Sequence, residues 1–445
     1  MGESGVSLWR SRGMLLLLVA GNTVIYMMIY LRGTYYIPMM EELQINNTQL
    51  GMMGVSYGIA AALCYFPGGW LADRLSARKL LTLSYILTGL GGFYFATFPS
   101  YVMCVLLHAY WGITTSLIFW AASIKATRQL AAVTEQGRAY GFLEAGHGLA
   151  AGILLSVGLA LFARLGSSSD ALSLVITAYA LLCLLIGVIT WFFFNEESGD
   201  DRCSGDLWGN IIKVVKMPRV WLITLIIFCA HWAVCATQYL VPFSSQVFGA
   251  SVIFGAALSI MKDYVRPIVA AGAGIAGDRI GSSKVISFGF LLLLAGFVSL
   301  LIVPGRINLL FLLIINSGIV YLAMYMIRAL YYTLLEEGDI PIAISGTAIG
   351  LIATFGYIPE IFVPMVGGRL LDLFPGVAGY RYLFILTAVL ITVGYFVTVY
   401  WMKITREKRM NMLAFRKKSV LPLGKRFLTL RVLGVIMKSN NYSEL

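Results

Sequence analysis

Gly69-Trp70-Leu71-Ala72-Asp73-Arg74-Leu75-Ser76-Ala77-Arg78-Lys79 and Gly274-Ile275-Ala276-Gly277-Asp278-Arg279-Ile280-Gly281-Ser282-Ser283-Lys284 say nearly the same thing. Their first glycines lie 205 positions apart (69 to 274). Each stretch sits where one long apolar run ends and the next begins. A Gly-x-x-x-Asp-Arg turn that recurs in two apolar halves is the mark of an internally duplicated membrane protein.

Composition agrees. Of 445 residues, 59% are hydrophobic and only 12% charged, and the mean hydropathy is +0.83. Soluble domains carry roughly 25% charged residues. A chain this apolar cannot hide its side chains in a soluble core, so most are expected to face a lipid bilayer. The net charge of +12 is not a nucleic-acid signal, because the charges fall in short gaps between apolar runs rather than on a soluble surface. The six cysteines show no metal-ligand spacing and no disulfide framework. Arg10 and Arg12 before Leu15-Leu16-Leu17-Leu18 look like the start of a signal peptide. The apolar run continues past Ile29 without a small-residue cleavage site, so a retained first helix is expected.

A spanning helix needs about 20 apolar residues. Such runs lie near 13–38, 49–71, 79–98, 101–124, 140–163 and 171–194, then near 217–245, 252–275, 284–303, 307–333, 342–366 and 382–402. The expected fold is an all-α membrane protein of twelve transmembrane helices in two pseudo-symmetric six-helix bundles. The bundles occupy residues 1–194 and 217–402, joined by a linker at 195–216 and followed by a basic tail at 403–445. With the N-terminus inside, the inner loops hold Arg74, Arg78, Lys79, Arg138, Lys213, Lys216, Arg219, Arg279 and Lys284, against Arg164, Arg306, Arg369 and Arg381 outside. By the positive-inside rule both termini are expected in the cytoplasm, in a multi-pass protein of the cell (inner) membrane. The tail is expected to be a disordered segment attracted to anionic lipid, with a regulatory helix as the alternative.

The repeated loop, the helix number and the pseudo-symmetry resemble the major facilitator superfamily over residues 10–402. Ser76 and Ala77 replace the usual Gly and Arg of the first loop, and Ser282 and Ser283 replace basic residues of the second. The resemblance implies a secondary transporter that works by alternating access. Gly69 and Gly274 permit close helix approach. Asp73 and Asp278 are carboxylates at the membrane edge and need partners. Lys125 or Arg128 is the candidate for Asp73, and Arg328 for Asp278; Gly69, Asp73, Arg74, Arg128, Asp278, Arg279 and Arg328 form the expected gating set.

An ionisable side chain near the bilayer centre costs about 2.5–3.5 kcal/mol or more, so it needs a partner or a task. Arg32, in the outer half of the first helix, offers a rigid fork suited to an anion. Lys262-Asp263-Tyr264-Val265-Arg266-Pro267 puts a net positive cluster mid-helix, with Asp263 and Arg266 at i,i+3. Glu144 and His147 share a face at the same spacing, and His titrates near neutral pH. Glu360, in Gly356-Tyr357-Ile358-Pro359-Glu360, is a further buried-acid candidate.

One segment resembles the organophosphate:phosphate antiporter branch: Trp120, Lys125, Glu135-Gln136-Gly137 and His147-Gly148-Leu149-Ala150-Ala151-Gly152. That resemblance assigns phosphate contacts to His147 and Arg32, and matches Asp263-Tyr264 to an acid-Tyr pair. The branch's second binding Arg is missing from the seventh helix, which reads Cys229-Ala230-His231-Trp232, so Arg266 is its expected substitute. Glu336-Glu337-Gly338-Asp339-Ile340-Pro341 and Gly346-Thr347-Ala348-Ile349-Gly350 resemble a poorly characterised group of bacterial inner-membrane facilitator proteins.

The expected function is secondary transport of a small organic solute, anionic in character (organophosphate, sulfonate or sugar acid), by proton symport or anion exchange. Arg32, His147 and Arg266 are expected to hold the anionic group. Tyr26, Tyr30, Tyr35, Trp120, Lys125 and Tyr264 complete the binding set, and Glu144, Asp263 or Glu360 would carry a coupling proton. A solute sensor of the same fold and a facilitator for neutral sugars are the alternatives. No Ser-His-Asp set, metal cluster or phosphate-cradling loop is found, so an enzyme is not expected, nor a cofactor, nor ATP drive. The expected partners are the small-molecule substrate and the lipid bilayer, with no nucleic acid, and the expected state is a monomer.

Overall fold

Helix starts and stops follow the polar punctuation of the chain. The computed structural model describes residues 12–129, 136–194 and 207–419. Helix α1 (Arg12–Thr34) breaks at Tyr35 and resumes as α2 (Tyr36–Leu43), which ends on a left-handed Gln44. Helix α3 (Asn47–Arg74) opens with a capping box: Asn46 accepts from the Gln49 N–H at 2.8 Å, and the Gln49 side chain accepts from the Asn46 N–H at 3.0 Å. Ser76 caps α4 (Ala77–Phe95). Helix α5 (Tyr101–Gly112) runs through a π-helical stretch, Ile113–Trp120, into α6 (Ala121–Gln129). Then come α7 (Gln136–Arg164) and α8 (Ser169–Phe193).

The second part begins with α9 (Leu207–Val215) and α10 (Pro218–Ala236), which passes through a 3-10 turn at Thr237–Tyr239 into α11 (Leu240–Gln246). Helices α12 (Val252–Ile280), α13 (Ser282–Ile302) and α14 (Leu310–Arg328) follow. Gly281, between α12 and α13, has φ 98°, which favours a residue without Cβ. The short α15 (Leu334–Glu337) precedes α16 (Ile342–Gly356) and α17 (Pro359–Leu373), which are separated by the Tyr357-Ile358 break before Pro359. Helix α18 (Val377–Ile404) leads into α19 (Arg406–Ser419).

Among the described residues nine helical segments are long and apolar enough to cross a membrane. Three further long helices, α3, α4 and α12, span 28, 19 and 29 residues. Helices α4 and α12 carry charges within their length, at Arg78 and Lys79 and in the Lys262–Arg266 cluster. The linker stretch 195–206 and the tail beyond 419 lie outside the described residues. The start of the tail is a correction to the disordered expectation: 406–419 is helix, anchored where Lys408 reaches Asp339 at 2.7 Å and Arg409 donates to the Met402 carbonyl at 2.8 Å.

Contacts fall into two groups. In the first, α4 packs on α8, α3 on α5, and α1 on α7 and α8. In the second, α13 packs on α14 and α18, α10 on α16, α17 and α18, and α12 on α14. Across the groups α3 meets α17 and α7 meets α12. The α3–α17 contact is backbone to backbone at the end away from the repeated loops. A Cβ on Gly51 would lie 2.2 Å from the Pro364 carbonyl oxygen, and one on Gly368 would lie 2.5 Å from that of Asn47. Asp372 rivets this end. Its Oδ1 accepts from the Asn47 N–H (3.2 Å) and Nδ2 (2.8 Å), and its Oδ2 from the Thr48 N–H (2.7 Å) and Oγ1 (2.5 Å). A carboxylate at the first turn of α3 also complements the helix dipole. At the loop end the geometry reverses: a Cβ on Gly69, Gly274, Gly346 or Gly350 would meet nothing within 4 Å. The close approach expected at Gly69 and Gly274 is absent there.

Candidate functional site

Tyr30, Glu144, Arg328 and Tyr357 keep exposed or half-exposed side chains where the two groups face each other, which marks an interior chamber rich in tyrosines. Tyr26 and Tyr30, one turn apart on α1, have ring centroids 6.2 Å from each other, and Tyr30 lies 6.2 Å from Tyr57 of α3. Tyr30 is 44% exposed although residues of α3 and α17 surround it, so it faces internal space. Its hydroxyl donates to Glu360 Oε1 at 3.4 Å. The same oxygen lies 3.2 Å from His231 Nε2 of α10. The His231 ring rests 4.6 Å from the Tyr357 ring, and the Tyr357 hydroxyl is 2.9 Å from that of Tyr331 and 3.0 Å from that of Tyr332. The α16–α17 break makes this possible: it exposes Tyr357 and sets Glu360 in the first turn of α17, where a carboxylate suits the helix dipole.

Arg328 ends α14, where a cation complements the free carbonyls. Its side chain is exposed to the chamber, and among the described residues it has no hydrogen bond and no ion pair. Tyr325, Tyr331, Tyr357 and Glu144 lie within its electrostatic reach, as do Tyr26, Tyr65 and Glu360. Its neighbours therefore come from both groups of helices. The expected pair with Asp278 is not formed; Arg328 belongs to the chamber.

Of the three residues expected to converge, His147 and Arg266 meet at Glu144, and Arg32 lies apart from them. Arg32 is only 7% exposed and points toward the closed end. Its guanidinium fills the space a side chain on Gly54 would take, 2.4 Å from that Cβ position, and donates to Gln238 Oε1 at 3.2 Å. Arg266 donates to the Glu144 carboxylate and lies 5.8 Å from the Tyr325 ring, so its charge is matched. His147 is partly buried beside Glu144. Gly148 and Gly152 explain the approach of α12: their Cβ positions lie 3.1 Å from Arg266 Cδ and 3.0 Å from the Tyr264 ring. Asp263 is 6% exposed, and its Oδ2 has no hydrogen-bond partner.

Other expected residues serve the walls and loops. Tyr35 is buried edge-on against Phe162, ring centroids 5.2 Å apart, away from the chamber. Tyr264 bonds Ser156 at 3.0 Å in the α7–α12 contact. Trp120 packs edge-on against Tyr65 at 5.2 Å. Lys125 donates to the carbonyls of Ala72 (2.9 Å) and Leu75 (3.1 Å), closing the C-terminal turn of α3 rather than facing the chamber. Arg74 stacks 4.0 Å over Trp70 at the loop end, where Asp278 and Arg279 are also exposed. The side chains of Asp73 and Arg128 lie outside the described set. Among the described residues no cluster of three or more His, Cys, Asp or Glu could hold a metal.

Residues 18–262 match the family model described as Major Facilitator Superfamily. The chain belongs to the major facilitator superfamily. It is a membrane transporter of that superfamily, not an enzyme. Two relatives come from Escherichia coli (strain K12). Inner membrane protein YqcE is 30% identical over 79% of this chain and 85% of its own. Inner membrane protein YihN is 27% identical over 90% of this chain and 97% of its own. A solved bacterial homologue of the human lysosomal transporter Spinster superposes with a TM-score of 0.71 at 14% identity, over 89% of this chain and 98% of that one. In this facilitator, then, the chamber lies between the two groups of helices.

Sequence reasoning passed over several residues that shape it. His231 was visible as an ionisable residue inside an apolar helix. Tyr331-Tyr332, just after Arg328, was visible as an aromatic pair at a helix end. Asp372 carried no local signal, since its partners are more than 320 positions away.

Proposed function

We propose that this facilitator is a secondary active transporter for a small organic anion in the cell membrane, with twelve spanning helices in two six-helix bundles and both termini cytoplasmic. Helices α3, α4 and α12 supply the three spans beyond the nine apolar ones. On this orientation the loop end is cytoplasmic and the conformation is inward-open: the outer end is sealed at Gly51, Gly368 and Asp372, while Gly69, Gly274, Gly346 and Gly350 at the inner end face open space.

One observation carries the anion reading. Arg328 is a chamber-exposed cation without a partner among the described residues, at the meeting of both halves. An isolated guanidinium there favours a bidentate anionic group. Arg266 is already neutralised by Glu144; Arg32 keeps its charge, with Nε unpartnered, but is buried on Gln238 toward the closed end. The surrounding tyrosine hydroxyls suit a polyhydroxylated or otherwise polar organic body. Glu360 is the coupling candidate best placed to sense the halves, because Tyr30 of the first and His231 of the second share its Oε1. Asp263, buried with an unbonded oxygen, is the alternative.

The test is a thermal-stability screen of the purified protein against sugar acids, sulfonates, organophosphates and neutral sugars. Stabilisation by one anionic class, lost with salt competition, is expected. Stabilisation by neutral sugars alone would turn the assignment to a sugar facilitator. Counterflow in Glu360→Gln and Asp263→Asn then separates the coupling modes. Retained exchange with lost uphill uptake identifies proton symport through that acid.

A further inference from the structure

On the outer face of the first half, α4 and α8 leave a groove of about 510 Å³. Leu83 and Ile86 of α4 and Val188, Trp191 and Phe192 of α8 form its apolar length. Its floor is tight, since a Cβ on Gly187 would sit 3.2 Å from Ile86 Cγ1. At the loop end the groove stops at Lys79. Arg78 stands beside it, its guanidinium 5.3 Å from the Trp191 ring and its Nε buried without a partner. Neither Arg78 nor Lys79 has an ion-pair partner among the described residues. Both occupy the first turn of α4, which holds no acidic residue. Cations at a helix N-terminus oppose its dipole, so this corner favours an added anion. The volume lies within the ordinary range for ligand sites, about 300–1,000 Å³.

We propose that this groove binds an anionic phospholipid, with the headgroup phosphate on Arg78 and Lys79 and an acyl chain along Leu83, Ile86, Val188 and Phe192. Three features converge on one occupant. The groove faces outward at membrane depth. Its apolar walls suit a hydrocarbon chain rather than a polar solute. Its charge lies at one end only, at headgroup level beside an interfacial Trp. Basic pockets between membrane helices take anionic headgroups for this reason.

The experiment uses the delipidated full chain in mild detergent and counts bound lipid by native mass spectrometry. Phosphatidylglycerol is compared with phosphatidylcholine of the same acyl chains. At roughly a fivefold gain per cation near the headgroup, a preference of roughly twentyfold for phosphatidylglycerol is expected. Arg78→Gln combined with Lys79→Gln should reduce that preference to about twofold or less. Leu83→Trp, which fills the groove and leaves the charges intact, should weaken retention of both lipids; it also serves if the double variant does not fold. Equal binding of both lipids by the natural protein would overturn the proposal, as would full preference in the double variant or unchanged retention in Leu83→Trp. Displacement of phosphatidylglycerol by soluble glycerol phosphate would also overturn it, since that marks a free phosphate site.

Discussion

Arg328 and Arg32 show how position decides what the same side chain does. Both lie near the C-terminal end of an apolar helix, and in the sequence Arg32 looks the better anion ligand because tyrosines flank it. In the folded chain Gly54 lets Arg32 sink into the wall, where Gln238, 206 positions away, takes one of its donors. Arg328 keeps all its donors for the chamber. Local pattern therefore identified the residue types at stake. It could not tell which cation would stay free, because the answer depends on partners in the other half. The same holds for Asp372, whose four bonds to the start of α3 exist only once α17 has docked. Charge-assisted hydrogen bonds are worth about 1.5–3 kcal/mol each and are not additive. Asp372→Ala is therefore expected to weaken the closed end by about 2–3 kcal/mol. Spin labels at the sealed ends of α3 and α17 should show a longer, broader distance distribution; an unchanged distribution would remove Asp372 from the seal.

Element boundaries were more legible than partners. The capping pattern Asn46-x-x-Gln49, the Ser76 cap and Pro359 each mark a helix start with a local physical cause. The π-helical stretch Ile113–Trp120 and the break at Tyr357 were not visible, because both depend on how neighbouring helices pull the chain. Helix α19 stood only as the alternative expectation because the basic tail reads as solvated charge, while Asp339 lies 69 positions upstream of its partner Lys408. The Lys408 ammonium holds the Asp339 carboxyl below its ordinary value. A depressed carboxylate contributes at neutral pH and loses that contribution as pH falls below the ordinary carboxylate range. Docking of α19 should therefore loosen on acidification and at high salt. Asp339→Asn should loosen it at pH 7 with little further effect of acid. Hydrogen exchange across 406–412 measures this; an acid response in Asp339→Asn equal to that of the natural chain would contradict it.

At the scale of the whole molecule, the sequence repeat leads one to expect two halves, and the glycines show how the two groups of helices meet. Gly51 and Gly368 allow backbone contact at one end, while Gly69 and Gly346 stand apart at the other. Alternating access would exchange these two situations around the fixed chamber. A side chain at Gly51 should block the sealed end, since its Cβ would lie 2.2 Å from the Pro364 oxygen. Gly51→Val is thus expected to favour the outward-open form and to slow counterflow at least tenfold, a barrier change of about 1.4 kcal/mol. Normal counterflow would mean that α3 and α17 need not close in this way. The central claim is that Arg328, rather than Arg32, receives the substrate's anionic group. The most direct measurement is the affinity of the stabilising anion for Arg328→Gln and Arg32→Gln. Loss of a bidentate charged contact, about 3 kcal/mol, should weaken binding roughly a hundredfold in Arg328→Gln, and Arg32→Gln should change it only a few-fold. Near-normal affinity in Arg328→Gln, or the larger loss in Arg32→Gln, would contradict the claim.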